Sequence, residues 1–505
     1  MVVDSLFLIL LAAYTVIGQY SNSSSTDSNF FNGPKIAIIG AGPGGSSAAY
    51  HLQKFTSNGF NITIFEKNNY VGGRSTTIEN FDSSVNSDLE LGASIFTSSN
   101  QILLNAVETF GLEAISSDEI FLEYPTVLEA TTGIWDGTSF LDYLNPSAYS
   151  SAILEYLYYT VKYGFSFIKF VFFLGPKIID LFLQNYYYSN FPYKSLTDIT
   201  KDIGFDLLTG ETGLQYLRTH GISDKFSKIF IEATTRVNYA SNIDDITGLE
   251  ALVSGAGSSS GAYQVYGGNY QIFENFIESS GSSLRLNNTI QTIKSLGSTY
   301  EISSLNENGE YESESFDKVI IAAPFHLSNI TIDKNGYEIS DIPDVEYREL
   351  YVTFVKSSTP LNNAKLVSAS PDGTAPFILA TSVSETGTTL DYYSVSIVDY
   401  DDTTGNYTYK IFSESSIDDN YLLEHFFDSS SSLEIIFQHH WNPYPHLTPI
   451  TEFLDFEIGE NLYYLNTIEQ FISTMETAAL AGANVAGLIS KGLNTTAIEL
   501  PNSSS

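Results

Sequence analysis

Cysteine is absent from this chain of 505 residues. The protein therefore has no disulfides, no thiolate ligands for a metal, no nucleophilic thiol and no thiol anchor for a covalently bound cofactor. A chain of this length does not need disulfides, because its apolar core is large. The length instead predicts two closely joined domains.

Basic residues are scarce: 22 Lys and Arg stand against 59 Asp and Glu, which gives a net charge of −37. A protein of that charge is repelled by nucleic acids and by anionic membranes, so no nucleic-acid partner is expected. The acidity has two explanations at this point, solubility and work in an acidic compartment. Charged residues make up only 16% of the chain and aromatic residues 14%, so much of it is built to be buried.

Apolar runs long enough to span a bilayer are also missing. The run from Leu6 to Ile17 is too short for a span but fits a signal peptide over residues 1–18, with cleavage near Gly18. A Ser- and Asn-rich linker over 19–33 and a tail over 493–505 are predicted to be disordered. Residues 148–193 are rich in aromatic side chains but interrupted by lysines. They predict two amphipathic helices that cover a hydrophobic cavity or touch a membrane peripherally, with an ordinary helical core as the alternative.

Sequons for N-glycosylation support passage through the secretory pathway. The lysosome is the expected compartment, with secretion as the alternative. The sequons begin at Asn22, Asn61, Asn287, Asn329, Asn406, Asn494 and Asn502.

The strongest motif is a strand–turn–helix unit near the start of the chain. The strand Lys35–Ile39 leads into a turn that contains Gly40, Gly42, Pro43, Gly44 and Gly45, followed by a small-residue helix. The first glycine makes the tight turn, the second lets a pyrophosphate approach the backbone, and the last lets the helix lie close to the sheet. This spacing predicts a dinucleotide on the helix N-terminus.

The residues after the next strand select the dinucleotide. Glu66 ends the strand Asn61–Phe65, where its carboxylate can accept bonds from ribose hydroxyls. Lys67 follows it and is assigned to the same site. Gly72 and Gly73 again admit a phosphate, and Arg74 supplies a fork of donors. This Gly-Gly-Arg resembles the second FAD contact of glutathione-reductase-like flavoproteins, particularly their amine-oxidase branch, so FAD is the predicted cofactor.

The predicted fold class is α/β. A discontinuous Rossmann-like FAD-binding domain takes residues 34–110, 261–330 and 456–492. A second, α+β substrate domain takes a mostly helical part over 111–260 and a sheet over 331–455. Strands are predicted over 284–293, 300–304 and 319–323, the last one apolar enough to be buried on both faces. Ile290, on the first of these strands, is assigned to the cofactor by the resemblance.

Several later segments carry a more specific resemblance, to the prenylcysteine oxidase (prenylcysteine lyase) family. It extends from about residue 34 to residue 490. The segments are Glu90–Ser94, Arg236–Tyr239, Gly267–Asn269, Trp441–His446, Leu462–Asn466 and Glu469 with Ser473–Glu476.

The resemblance implies a flavin-dependent oxidation of S-prenylcysteine. A hydride leaves the prenyl carbon next to sulfur, water adds, and a prenyl aldehyde and free cysteine separate. Molecular oxygen then reoxidises the flavin and gives hydrogen peroxide. A second strand–GxGxxG–helix–acid unit for NAD(P)H is missing, since residues 255–261 have the wrong spacing, and this also favours oxygen as the acceptor.

The resemblance also assigns contacts to the flavin. Backbone amides of Gly92, Ala93 and Ser94 face the isoalloxazine. A small-residue helix over 474–489, which begins beside Met475, presents its N–H groups to the flavin N1–C2=O edge, where charge accumulates on reduction. Glu469 is assigned to the cofactor site as well.

Acid–base residues are less well defined by the sequence. His446 and Glu469 are the first candidates, and packing is the alternative role for each. A metal site is not predicted, because His439 and His440 are neighbours on a strand and face opposite sides. Three other functions remain open: a flavin amine oxidase, a desaturase-type flavoenzyme and a flavin-free protein without enzymatic activity.

Overall fold

The computed structural model describes residues 33–57, 59–78, 89–116, 131–145, 152–371, 373–383, 389–428, 433–491 and 500. The predicted signal peptide lies outside these ranges, as do all but Gly33 of the linker and all but Leu500 of the tail.

Strands build five sheets within the described residues. In chain order they are β1 Lys35–Ile39, β2 Asn61–Phe65, β3 Thr76–Ile78, β4 Leu89–Gly92, β5 Phe96–Thr97, β6 Ala114–Ser116, β7 Thr132–Trp135, β8 Phe140–Leu144, β9 Ala262–Val265, β10 Ser283–Arg285, β11 Thr289–Ser295, β12 Tyr300–Leu305, β13 Tyr311–Phe316, β14 Lys318–Ile321, β15 Thr331–Asp333, β16 Leu350–Ser357, β17 Ile378–Thr381, β18 Tyr392–Asp401, β19 Asn406–Ser413, β20 Leu433–Trp441, β21 Glu457–Gly459 and β22 Leu462–Tyr464.

Helices fill the connections between these strands. They are α1 Pro43–Thr56, α2 Gln101–Phe110, α3 Ala152–Tyr163, α4 Phe165–Lys169, α5 Gly175–Phe182, α6 Leu196–Asp202, α7 Asp206–Gly210, α8 Gly213–Thr219, α9 Asp224–Phe226, α10 Glu232–Tyr239, α11 Gly248–Ser260, α12 Tyr270–Ser280, α13 Phe325–Ser328, α14 Ala364–Ala369, α15 Asp419–His425 and α16 Met475–Ser490. Three π-helical segments, Phe170–Leu174, Leu183–Ser189 and Ser227–Ile231, and a 3₁₀ turn, Asn466–Gln470, complete the set.

A six-stranded sheet in the order β10-β2-β1-β14-β22-β21 carries the nucleotide motif. All neighbours are parallel except β21. Along β1, Ile36 and Ile38 pack in the core shared with α1 and α16, whereas Ala37 packs in the core shared with the four-stranded sheet β13-β12-β11-β15. Alternate residues therefore enter two different cores, which is why the strand is apolar throughout. β14 has the same character, as predicted for residues 319–323.

Helices α1 and α16 pack against each other through small residues. A Cβ on Gly482 would lie 2.2 Å from Gly44 O and 2.7 Å from Ala48 N. The Ser47 hydroxyl donates to Ala479 O at 2.6 Å. The small residues of α16, the helix predicted to present its N–H groups to the flavin, allow close contact with the helix that follows the glycine turn.

A seven-stranded sheet in the order β20-β16-β19-β18-β17-β7-β8 forms the centre of the second domain. Its last two strands come from residues 131–145, in the part of the chain that was predicted to be mostly helical. Residues 132–135 are all buried, and β7 runs parallel to β17. The substrate domain is thus assembled from both of its sequence segments around one sheet.

Residues 152–189 form two helical rods, as predicted for this aromatic segment. The first is α3; the second runs from α4 through the first two π-helical segments and α5. Gly164 separates them at φ +64°, a backbone conformation that favours glycine. Phe167 is buried on one face, whereas Phe165 is 72% exposed. None of the helices in the described residues is long and apolar enough to cross a bilayer.

Two predicted boundaries are wrong. The strand predicted over 284–293 is two strands: β10 extends the six-stranded sheet beside β2, and β11 pairs with β12 in the four-stranded sheet. Asn287, at φ +50°, lies in the turn that separates them. The domain boundary at 330 falls too early, because β15 pairs with β11 in that same sheet.

Candidate active site

The glycine turn after β1 has the geometry that a bound phosphate needs. Gly40 adopts φ +110°, and a Cβ on Gly45 would lie 1.9 Å from Gly40 O, so the helix lies directly against the turn. Helix α1 begins at Pro43, earlier than predicted, and its N-cap Gly42 has no side chain to occupy the free N–H groups. An anion can therefore bind at this helix N-terminus.

Glu66 is buried at the end of β2, where it was predicted. Its Oε2 accepts the Ala41 N–H at 2.8 Å, and its Oε1 accepts the Asn68 N–H at 2.9 Å and the Asn68 Nδ2 at 2.8 Å. The carboxylate thus fixes the glycine turn as well as the strand end. Lys67 is exposed.

The second glycine pair meets the first turn. The Gly72 N–H donates to Ala41 O at 3.0 Å, and both Gly72 and Gly73 have positive φ. A Cβ on Gly42 would lie 3.7 Å from the Gly73 Cα, so the two glycine turns face each other. Two backbone segments without side chains make a cradle that suits a pyrophosphate.

Arg74 was predicted to offer its fork of donors to the cofactor, but the structure directs the fork mainly to protein groups. Its Nη1 donates to Pro443 O at 2.7 Å, and its Nη2 forms an ion pair with Glu469. Glu469 also accepts the Tyr347 hydroxyl at 2.7 Å and the Asn466 Nδ2 at 2.7 Å. Burial and the nearby Glu469 carboxylate hold the pKa of Tyr347 well above its usual value.

These bonds change the role of Glu469. The Glu469 carboxylate already accepts hydrogen bonds from an arginine, a tyrosine and an amide, so few of its lone pairs remain for a substrate or a water molecule. The prediction of Glu469 as an acid–base residue is therefore not supported by the geometry. Glu469 lines the cavity beside Arg74, and its contacts make it a link between the Gly-Gly-Arg turn and the 3₁₀ turn that precedes α16.

A cavity of about 320 Å³ lies between the two domains. Gly92, Ala93, Ser94 and Met475, all assigned to the flavin, line it. Much of the remaining wall is aliphatic or aromatic and comes from helices and strands of both domains. These apolar residues include Leu103, Ile178, Ile179, Phe182, Leu249, Leu252, Val253, Leu350, Phe412 and Ile472.

The turn Glu90–Ser94 is held from both domains. Ala93 adopts φ +55°. Asn269 donates its Nδ2 to Ala93 O at 2.8 Å and its N–H to the Glu90 carboxylate at 3.1 Å. From β19, the Lys410 ammonium donates to Glu90 O and, at 3.3 Å, to the Ser94 hydroxyl. The strained turn is therefore held both through its backbone, at Glu90 O and Ala93 O, and through the side chains of Glu90 and Ser94.

Burial disfavours the charged forms of Glu90 and Lys410. It raises the pKa of Glu90 to about 7 and lowers that of Lys410 to about 8. No pattern in the sequence indicated Lys410 as a site residue, since a single lysine in an alternating strand is ordinarily a surface residue.

The N-terminus of α16 lies in the cavity wall, with Thr474 as its cap. The Thr474 hydroxyl accepts the Thr477 N–H at 3.1 Å. Glu476 accepts the N–H groups of Ile102 at 2.8 Å and Leu103 at 3.0 Å, so it caps α2. It also accepts the Tyr187 hydroxyl at 2.6 Å, and burial raises its pKa to about 7. One carboxyl thereby joins α16, α2 and the second helical rod.

Three residues singled out by the sequence lie away from the cavity. His446 is not among its lining residues; its N–H donates to Glu346 O, and Tyr444 lines the cavity instead. Ile290 is buried between the four-stranded and six-stranded sheets. Arg236 is 1% exposed and bonds Thr381 and Asn242, which ties α10 to the seven-stranded sheet.

Comparison with known proteins identifies the family. The family model described as "Prenylcysteine lyase" matches residues 147–500. This chain belongs to the prenylcysteine lyase family. A second model, "NAD(P)-binding Rossmann-like domain", matches residues 38–108, the segment with both glycine turns. The family is an enzyme family, and the sequence-based resemblance to it is confirmed.

Relatives in this family match nearly the whole chain. Farnesylcysteine lyase of Arabidopsis thaliana is 29% identical over 484 residues, which cover 90% of this chain and 87% of that protein. Prenylcysteine oxidase 1 of Homo sapiens is 28% identical over 472 residues, covering 90% and 88%.

Solved structures confirm the predicted fold class of this family member. An engineered putrescine oxidase superposes with a TM-score of 0.58 at 14% identity, over 90% of this chain and 98% of that one. A fatty acid isomerase from P. acnes gives 0.56 at 14% identity, over 91% and 98%. At such identities the likeness concerns the fold alone.

Proposed function

We propose that this member of the prenylcysteine lyase family is an FAD-dependent oxidase that cleaves S-prenylcysteine. The observation that carries the proposal is the largely apolar cavity, lined at Gly92–Ser94 and Met475 by residues assigned to the flavin. Such a cavity suits a farnesyl or geranylgeranyl chain, whose burial contributes roughly 0.8 kcal/mol per CH₂ group.

The residues present fit FAD. The two facing glycine turns would hold the pyrophosphate, Glu66 the ribose, and the Gly92–Ser94 turn with the α16 N-terminus the isoalloxazine. When bound, FAD supplies a hydride acceptor and passes the electrons on to oxygen. The role proposed for Arg74 is to fix the Gly-Gly-Arg turn through Glu469 rather than to bind phosphate with its whole fork.

The overall reaction follows from the chemistry of a thioether. Prenylcysteine, water and O₂ give a prenyl aldehyde, cysteine and H₂O₂. The apolar wall would position the prenyl carbon that loses hydride and limit access of other water molecules.

One experiment tests this function. The purified protein is incubated with farnesylcysteine in air, and free thiol and peroxide are assayed. Equal amounts of both are expected. Absence of both from a yellow, flavin-containing protein would contradict the substrate, and oxidation of putrescine instead would indicate an amine oxidase. A colourless protein without flavin bands would contradict every oxidase function.

We also propose that the helical rods over 152–189 contact a membrane surface. Val161, on the first rod, is 79% exposed, and Phe165, at the start of the second rod, is 72% exposed. Ile178 and Ile179, farther along the second rod, line the cavity. A prenyl chain could thus move from lipid into the site. The net charge of −37 favours zwitterionic over anionic lipid.

Vesicle binding tests the membrane contact. Exchange of both Val161 and Phe165 for serine should abolish flotation with phosphatidylcholine vesicles. Tyr311→Ser is the control, because Tyr311 is equally exposed at 77% but lies on β13, in a different part of the fold. Equal flotation of all three proteins would refute the proposal.

For the compartment we propose the lysosome, with secretion as the alternative. Burial raises the pKa of several glutamates to about 7 or 8, which suits an acidic lumen. The sequons at Asn287 and Asn329 are exposed. Cell fractionation, with a glycosidase mobility shift, tests both points; a cytosolic, unglycosylated protein would contradict them.

A further inference from the structure

The proposed reaction needs a proton donor for the departing sulfur, and the titratable residues of the cavity wall are few. Among the described lining residues they are Arg74, Tyr239, Tyr444, Glu469 and Glu476. Glu469 accepts bonds from an arginine, a tyrosine and an amide. Glu476 accepts from two backbone N–H groups and a tyrosine. The two tyrosines are therefore the groups left to consider.

Tyr239 differs from Tyr444 in the titratable groups that lie near its hydroxyl. Tyr239 ends α10 and is 5% exposed. The Glu250 carboxyl lies close enough to Tyr239 that each group shifts the pKa of the other. Tyr444 stacks edge-on against Tyr239, with ring centroids 5.6 Å apart, but the groups that act on it are Tyr393 and Arg74. Of the two tyrosines, only Tyr239 thus has a neighbouring carboxyl group, that of Glu250, which can supply a proton.

Glu250 has an unusual environment for a buried acid. It is fully buried on α11, next to Leu249, which lines the cavity. Its Oε1 accepts the Ser473 N–H at 2.7 Å. Its Oε2 is buried and accepts no hydrogen bond of normal geometry among the described residues. The side chain that shifts the pKa of this carboxyl is Tyr239. No lysine or arginine is among the groups that act on it, unlike Glu90 and Glu469.

Resting on the proposed function, we propose that Tyr239 is the catalytic acid that protonates the cysteine sulfur, and that Glu250 is a positioning residue that returns a proton to Tyr239. As the carbon–sulfur bond breaks, its electron pair stays on sulfur, which takes the Tyr239 hydroxyl proton. Glu250 then reprotonates the phenolate. The hydroxyl proton of the collapsing hemithioacetal passes to the Tyr239 oxygen while the Tyr239 proton moves back to Glu250, because Tyr239 lines the cavity and Glu250 does not. Of the two protons of the added water, one ends on sulfur and the other leaves with the hydride on the reduced cofactor.

The protonation states suit these roles. Burial raises the pKa of Glu250 to about 8, so the carboxyl is protonated below that pH and can donate. Burial and the nearby Glu250 hold the pKa of Tyr239 well above its usual value, so a phenolate formed there is quickly reprotonated. Tyr239 and Glu250 each shift the pKa of the other, and Tyr444 also raises the pKa of Tyr239. The Ser473 N–H is the backbone donor to Glu250.

The test compares Glu250→Gln and Tyr239→Phe with Glu232→Gln. Glu232 is a matched control, because it is also a buried glutamate whose pKa burial raises to about 7, and it accepts one backbone N–H, from Ile243, without lining the cavity. All variants are first checked for wild-type flavin content. Reduction of the flavin by farnesylcysteine without oxygen is then followed separately from release of cysteine.

Flavin reduction should stay at the wild-type rate in all three variants. Cysteine release should slow by about 10²-fold in Glu250→Gln and Tyr239→Phe only. In the wild type, release should slow as the pH rises through about 8, and Glu250→Gln should lose this dependence. An infrared band of a protonated carboxyl should titrate near the same pH and be absent from Glu250→Gln, a readout that needs no turnover.

Two failures are distinguishable. If farnesylcysteine does not reduce the wild-type flavin, the proposed function is overturned and this role with it. If reduction is normal but cysteine release is unchanged in both variants, or slows equally in Glu232→Gln, the Tyr239–Glu250 role alone is overturned.

Discussion

The contact between α1 and α16 should be the most sensitive structural point of the cofactor site. Gly482→Ala adds one methyl group, which would lie 2.2 Å from Gly44 O and 2.7 Å from Ala48 N. Both neighbours are backbone atoms, so no side-chain rotation can relieve the overlap. The helices must move apart by about 1 Å to reach the roughly 3.3 Å of a weak C–H···O contact.

The size of the effect can be worked out. Overpacking of this kind costs roughly 1–3 kcal/mol, and backbone neighbours place it at the upper end. Alanine is favoured over glycine in a helix by about 1 kcal/mol, which offsets part of the loss. A net destabilisation of about 2 kcal/mol remains. With an unfolding entropy of about 2 cal/mol/K per residue, a chain of 505 residues should then melt about 2 °C lower.

Thermal melting and flavin content measure the result. The same shift should separate the N-terminus of α1, which would hold the pyrophosphate, from that of α16, so the purified variant should carry less FAD. Gly175→Ala is the control: this helical glycine meets only Phe170 O, at 3.4 Å, so the substitution should be neutral or stabilising. Wild-type melting and full flavin content in Gly482→Ala would refute the reasoning.

Three further predictions follow from the site. Gly45→Ala places a Cβ 1.9 Å from Gly40 O and should yield protein without FAD, measured by absorbance; normal flavin content would contradict the tight helix–turn packing. Arg74→Lys keeps the charge but loses the fork of donors toward Glu469 and Pro443 O, so the variant should retain less flavin. The double variant with Glu469→Gln should lose less flavin than the sum of the two single losses. Strict additivity would show that the pair does not act together. Stability to urea should fall as the pH rises from about 4.5 to about 8. The reason is that four buried glutamates ionise near 4.5 in the unfolded chain but hold their protons to about 7 or 8 in the folded protein. A urea midpoint that rises over this pH range would refute the prediction. These glutamates are Glu90, Glu232, Glu250 and Glu476.

The nucleotide-binding unit could be predicted in detail because its signals are local. A strand, a glycine turn and an acid at the next strand end follow one another within about thirty residues, and each residue type is required by backbone geometry. Even the earlier start of α1 has a local reason, since Pro43 suits the first turn of a helix. The broken strand over 284–293 was harder, because its two halves have the same pattern but join different sheets.

The acid–base residues could not be predicted in this way. His446 was chosen for its chemistry, but a loop gives no periodicity from which to infer where a side chain points, and the structure places Tyr444 in the cavity wall instead. Glu250 lies in a helix whose pattern indicates only burial. Its relation to Tyr239 depends on how α10 and α11 pack.

The sequence by itself determined the fold class, because the fold class depends on short-range spacing and on alternation of apolar residues. It determined the family through the resemblance of several separate segments. The tertiary structure decided which polar groups meet. Arg74 and Glu469 are 395 positions apart, Glu90 and Lys410 are 320 apart, and Glu250 and Ser473 are 223 apart. Such pairs form only where segments far apart in the chain pack together, and burial then raises the pKa of Glu90 and Glu250 and lowers that of Lys410, which no local pattern encodes.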